Sequence, residues 1–221
     1  MIIVFARAPL PGGAKTRLVP ALGEWGAARL HARLVRQAVQ TALAARCGPV
    51  EVHGASRHSF FRSLGVPFRL QRGRDLGERM HHALSRAPGA ILIGTDCPEL
   101  TAADLRRARR SLQAGYDVVL APAEDGGYAL IGARHVAPEL FRDIAWGTAS
   151  VYDETVRRLK PYRWRALRTV WDVDRPADLP RLRSLRLASA GRPRVRRCGG
   201  SRARSGGSGR PSGSHPSAPA R

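Results

Sequence analysis

Four stretches of the chain carry residues whose types and spacing suit chemistry on phosphates. The first is Arg7-Ala8-Pro9-Leu10-Pro11-Gly12-Gly13-Ala14-Lys15-Thr16-Arg17-Leu18. Gly12 and Gly13 let the backbone approach a ligand closely and present its N–H groups. Lys15 offers a point charge, and Arg17 a planar fork for phosphate oxygens. This is not a Walker A loop, which would need glycine where Pro9 and Ala14 stand. A solvated turn with basic residues is the plainer alternative. The second stretch is Thr95-Asp96-Cys97-Pro98. Asp96 suits a magnesium or manganese ion (Mg²⁺ or Mn²⁺), since hard cations on phosphates often take only one or two protein carboxylates. A helix-capping aspartate is the alternative, and Cys97 reads as a packing residue.

The third stretch is Trp171-Asp172-Val173-Asp174-Arg175-Pro176-Ala177-Asp178. Asp172 and Asp174 share one face if a strand extends that far, and would complete a divalent site with Asp96. The alternative is a polar turn, with Asp178 capping the last helix. The fourth is Glu124-Asp125-Gly126-Gly127-Tyr128. Its acids suit an acceptor or a sugar; a plain hairpin turn is the equal alternative. Gln71–Arg79 precedes a helix and suits a base or phosphates, or simply a charged helix entry. His81 and His82 are adjacent, so they point apart on a helix and are not read as metal ligands.

These stretches follow β-like runs. Ile2–Ala6 is continuously apolar, as a strand buried on both faces should be. Glu24–Arg46 reads as a helix, with Leu30, Leu34, Ala38 and Ala42 recurring every four residues. Further strands are expected at 50–55, 66–70, 90–94, 117–121, 128–131 and 166–170. Further helices are expected at 76–86, from Thr101 to about Ala114, and at 150–159. Thr101 and Asp104 are spaced for a capping box. Alternating strands and helices imply an α/β fold with a mostly parallel sheet and helices on both faces. In such sheets ligands bind at the carboxyl ends of strands, near a switch in strand order.

The chain has 221 residues, with 38 Lys+Arg against 17 Asp+Glu and a formal net charge of +21. The charge is uneven: 11 arginines and no acid lie from Arg181 onward, leaving 27 basic and 17 acidic groups before it. Only Lys15 and Lys160 are lysines, which reads as a genome-wide arginine bias rather than binding chemistry. The expected organisation is a domain over 1–183 and a disordered Arg/Gly/Ser/Pro-rich tail over 184–221. With 43% hydrophobic residues the domain can form a core. No apolar run approaches a membrane span, and three cysteines suggest no disulfide framework. A cytoplasmic location is expected.

The order of the motifs carries more than any one of them. FARAPLPGGAKTRL, QRGRDLGERM, ILIGTDCPEL, APAEDGGYALIG and WDVDRPADL, in that order over residues 1 to about 183, resemble the bacterial radical-SAM/selenodomain-associated transferases. These are glycosyltransferase-like relatives of 2-phospho-L-lactate guanylyltransferases and molybdopterin nucleotidyltransferases. The resemblance implies a GT-A, or nucleotide-diphospho-sugar transferase, fold. It implies a metal-dependent transferase with a nucleotide or nucleotide-sugar donor and an unknown small acceptor. Glycosyl transfer is favoured over nucleotidyl transfer. A nucleic-acid-binding protein using the basic tail is the rival from another class, although the tail lacks aromatic residues for stacking.

Carried onto this sequence, the implied catalytic residues are Lys15, Arg17 and Asp96. The implied nucleotide-binding set is Ala6, Gly12, Gly13, Lys15, Arg17 and Gly77. Glu124, Asp125, Gly126 and Gly127 fall on the acceptor element. Asp96 falls on one metal ligand, and Asp174, or alternatively Asp172, on the second. One departure is Ala145-Trp146-Gly147-Thr148, where relatives are expected to carry Trp-Ser-Thr. Gly147 removes a hydroxyl there and loosens the loop.

Overall fold

A computed structural model describes residues 1–190 of the chain, with side chains through Leu185. Seven strands form one sheet: β1 (Ile2–Ala6), β2 (Val50–Gly54), β3 (Phe68–Leu70), β4 (Ala90–Ile93), β5 (Val118–Pro122), β6 (Tyr128–Ala133) and β7 (Trp164–Ala166). Their order is β3-β2-β1-β4-β6-β5-β7. β6 runs antiparallel to both β4 and β5, and the other pairs are parallel. The helices are α1 (Val19–Ala45), α2 (Ser59–Arg62), α3 (Leu76–Ser85), α4 (Ala102–Gln113), α5 (Val151–Arg158) and α6 (Leu179–Ala190).

Alternation along β1 separates two cores. Ile2 and Val4 face the side covered by Val35 and Val39 of α1 and Leu105 and Leu112 of α4. Ile3 and Phe5 face the side covered by Met80 and Leu84 of α3 and by Phe141. The expected α/β architecture, a mostly parallel sheet with helices on both faces, is what the chain adopts. A third cluster joins Leu18, Leu30 and Leu34 to Trp171, Val173 and Leu182. That cluster lies between α1, the segment after β7 and α6. Among the described residues no helix is long and apolar enough to cross a membrane.

Two elements differ from the sequence reading. The first helix carries an extra turn from Val19, ahead of a break at Gly23, whose φ of 67° no regular helix residue adopts; its continuous part starts at Glu24, as expected. The late strand, expected over 166–170, is Trp164–Ala166 instead. Beyond it the chain still follows β5: Leu167 donates to Leu120 and Val170 to Pro122. The regular ladder stops because β5 ends in Pro122, which has no N–H to give. In α6, residues 184–190 continue the helix from Leu179. Residues 191–221, the remainder of the expected tail, lie outside the described residues.

Candidate functional site

The strand order reverses between β1 and β4: β2 and β3 lie on one side of β1, and β4 on the other. The loops leaving these two strands therefore open a crevice at their carboxyl ends. Lys15 and Arg17 come from the loop after β1, and Asp96 from the turn after β4. The capping box of Thr101 and Asp104 starts α4 close behind that turn. Gln37 of α1 donates to the Pro98 carbonyl at 2.8 Å and fixes the turn from the other side.

The segment 171–174 reaches the same place without being a strand. Trp171 and Val173 are buried in the third cluster, which turns Asp172 and Asp174 the other way. Val173 donates its N–H to the Asp96 carbonyl at 2.9 Å. The carboxylates of Asp96 and Asp174 thereby converge on one cation. Lys15 Nζ lies 2.9 Å from Asp96 Oδ1 and 4.0 Å from Asp174 Oδ1. It also donates to the Val173 carbonyl at 2.5 Å. Arg17 Nη1 contacts Asp174 Oδ2 at 2.5 Å.

Exposure separates the two cations: the Lys15 side chain is 4% exposed and that of Arg17 63%. Asp172 is half-buried, and desolvation, reinforced by the neighbouring Asp125 carboxylate, pushes its pKa up to about 6. Burial raises the Cys97 thiol well above its ordinary range. That keeps it protonated, in agreement with a packing role.

The structure brings Lys15, Arg17, Asp96, Asp172 and Asp174 together. Asp125, from the β5–β6 turn, lies beside Asp172 and Cys97, and the remaining expected site residues have separate surroundings. Ala6 is buried at the end of β1, where its carbonyl accepts from Ala55. Gly12 has a φ of +69° and sits beside the Glu24 carboxylate. Gly13 donates to the Leu10 carbonyl and closes the turn. Gly77 lies in α3, where an added Cβ would stand 2.6 Å from the Phe141 carbonyl oxygen and 3.0 Å from the indole nitrogen of Trp146. It also lines a cavity of 320 Å³ between the start of α3 and residues 138–143. None of Lys15, Arg17, Asp96 or Asp174 lines that cavity.

The Glu124–Gly127 element is the β5–β6 turn. Glu124 is paired with Arg181 of α6 at 2.8 Å. Asp125 accepts from the Gly127 N–H, and Gly126 packs on Ala149. In the departing loop Gly147 adopts a φ of +86° in open space. Thr148 donates to the Ala145 carbonyl and pairs with Ser150.

His31 is a residue that spacing did not single out. It lies on the buried face of α1, and its Nε2 stands 3.1 Å from the Arg7 carbonyl oxygen. Its Nδ1 is buried without a partner. Burial lowers its pKa, with opposite influences from Asp96 and Lys15 close by. The one sequence signal was a polar residue next to the Leu30–Leu34 stripe.

Among the described residues no group of three or more His, Cys, Asp and Glu side chains forms a metal cage. The two converging carboxylates do fit a hard ion such as Mg²⁺ or Mn²⁺, which keeps several waters and shares its shell with substrate phosphates. The donor set is all oxygen, and Asp96 has half of its side chain open to the crevice.

Residues 29–148 match the family described as "Uncharacterized protein conserved in bacteria (DUF2064)". The chain belongs to this family. It is 34% identical to a protein from Desulfovibrio desulfuricans G20 that carries the provisional name nucleotide-diphospho-sugar transferase. The match covers 82% of this chain and 84% of that one, with a TM-score of 0.76. Two nucleotidyltransferase structures share the fold at low identity. One is CMP:2-keto-3-deoxy-manno-octonic acid synthetase complexed with CTP, with 12% identity, 86% and 98% coverage and a TM-score of 0.58. The other is molybdopterin-guanine dinucleotide biosynthesis protein A from Archaeoglobus fulgidus, with 13% identity, 85% and 100% coverage and a TM-score of 0.55. No curated protein matches the chain. The DUF2064 chain thus has the nucleotide-diphospho-sugar transferase fold expected from its motifs.

Proposed function

We propose that this DUF2064 protein is a transferase acting on a nucleotide-activated donor, with glycosyl transfer to a small acceptor as its reaction. The observation that carries this reading is the convergence of Asp96 and Asp174, from distant segments, at the strand-order switch beside an exposed Arg17. A diphosphate placed there meets a guanidinium fork and two carboxylates able to share a divalent ion with it. Such an ion, when bound, offsets charge on the departing phosphate. Asp96 and Asp174 would hold it, with Asp172 next to them. Arg17 orients the diphosphate and stabilises the charge that develops as the leaving group departs. The tie between Val173 and Asp96 keeps the two acids in register.

In glycosyl transfer an acceptor hydroxyl attacks the sugar carbon, the bond to the diphosphate oxygen breaks, and a nucleoside diphosphate leaves. The 34%-identical relative's name supports this reading. The two nucleotidyltransferases of the same fold support a second one. In it an acceptor phosphate attacks the α-phosphorus of a nucleoside triphosphate and pyrophosphate leaves. A product assay separates them. The protein is incubated with Mg²⁺ or Mn²⁺ and pooled nucleotide sugars, then with pooled nucleoside triphosphates, each with candidate acceptors. Nucleoside diphosphate from a sugar donor supports glycosyl transfer. Pyrophosphate from a triphosphate supports nucleotidyl transfer and overturns the first reading.

A further inference from the structure

Lys15 is in an unusual position for a residue whose expected partner is a ligand. Its backbone is left-handed, with a φ of 54°, a conformation that costs a lysine about 1 kcal/mol or more. Its ammonium is directed inward, with only 4% of the side chain exposed. The ammonium makes two short contacts, to Asp96 Oδ1 and the Val173 carbonyl, and Asp174 Oδ1 stands 4.0 Å from it. The carboxylates around it are the more open groups, 51% exposed at Asp96 and 33% at Asp174. A phosphate entering the crevice meets those acids and Arg17 before it can reach Lys15. Arg17 has one nitrogen on Asp174 and its remaining donors toward solvent.

We propose that Lys15 is the resident counter-cation of the Asp96–Asp174 pair, so that a divalent ion enters in competition with the Lys15 ammonium and Arg17 alone meets the donor's phosphates. The proposal rests on the transferase reading only for the identity of the donor. Two carboxylates and a carbonyl within about 4 Å of one point form a cation site whatever the reaction. An ammonium and a divalent ion cannot both take the same oxygens, because each needs them to balance its charge. The left-handed turn at Lys15 sets the ammonium over this point from the β1 side. The hydrogen bond between Val173 and Asp96 sets the acids from the other side.

The test is binding of Mn²⁺ alone, followed by calorimetry or by the electron-spin signal of the free ion. Lys15→Met should bind Mn²⁺ at least about tenfold more tightly than the parent protein. Its affinity for pyrophosphate, measured at saturating Mn²⁺ so that the acids stay neutralised, should change less than about twofold, whereas Arg17→Met should lose about tenfold or more. Unchanged or weaker Mn²⁺ binding by Lys15→Met overturns the proposal. So does a large loss of pyrophosphate affinity in Lys15→Met.

A measurement on the parent protein does not depend on the folding of a variant. The chain has only two lysines, so amine labelling of Lys15 is read separately from that of exposed Lys160. Lys15 should resist labelling, and saturating Mn²⁺ should make it reactive. Equal protection with and without Mn²⁺ overturns the competition. Neither readout uses turnover. Failure of the transferase reading, seen as no product from any donor, is therefore distinct from failure of this one.

Discussion

Val173 gives its backbone N–H to the carbonyl oxygen of Asp96 at 2.9 Å, joining the turn after β4 to the irregular segment after β7. A strand face was expected to carry Asp172 and Asp174 to Asp96; this main-chain bond brings Asp174 there instead. Asp96 and Asp174 meet at one point through main-chain contact and the burial of Trp171 and Val173, with no ladder beneath Asp174.

Asp96→Asn tests the site directly. The buried Lys15 ammonium loses its nearest counter-charge in this variant but keeps Asp174 and the Val173 carbonyl, so the fold should persist with a lowered melting temperature. Turnover in the product assay should fall at least about a hundredfold, the scale of losing one electrostatic element of a transfer site. Unchanged turnover removes Asp96 from the machinery.

Gly126→Ala tests whether this glycine serves the acceptor or the fold. An added Cβ would lie 2.1 Å from the Ala149 carbonyl oxygen, and φ is already +87°. The expected cost is about 2–3 kcal/mol in denaturant unfolding. Gly127→Ala meets only the side chain of Asp125, at 3.2 Å, and should cost less than Gly126→Ala. Equal effects would mean that the contact with Ala149 is not what requires a glycine.

His31 and His53 share one pH signature. Both are buried, and burial lowers each pKa below its ordinary value of 6.5. Glu51 works in the opposite direction at His53, and Asp96 at His31. A histidine with a depressed pKa contributes stability that is fully present above the unfolded value. That contribution is lost as pH falls through it. The melting temperature should therefore drop from about pH 7 to about pH 5. The drop should shrink in His53→Gln, whose side chain does not titrate. An identical drop in that variant would assign the effect elsewhere.

Removal of residues 191–221 separates the basic tail from the domain. These residues hold eight arginines and no acid. Cutting after Ala190 retains all of α6, including Leu182 in the cluster beneath the site. The truncated chain should keep its melting temperature and its nucleotide binding. It should also lose most of any salt-sensitive binding to polyanions. Loss of nucleotide binding as well would tie the tail to the site.

Much of the fold was legible because its signals are local. The apolar run of β1, the stripe of α1 and the capping box of Thr101 and Asp104 each sit within a few residues of one another. The misplaced late strand shows where such signals end. Residues 166–170 look like a strand, yet their pairing depends on Pro122, far away in sequence, which withholds an N–H. His31 was missed for the same reason, because its partner is a carbonyl on another loop.

The sequence by itself determined the alternation of strands and helices. It also determined that Lys15, Arg17, Asp96 and Asp174 follow strands or strand-like segments. Periodicity and turn chemistry act over a few residues and need no partner. Only the tertiary structure decided which of those charges face the crevice. It buried Lys15 against the two acids and left Arg17 in solvent. It also tied Glu124 to Arg181 and packed Gly77 and Gly126 against neighbouring backbone. Burial and charge pairing depend on what other segments bring to the same point, and no spacing along one chain contains that.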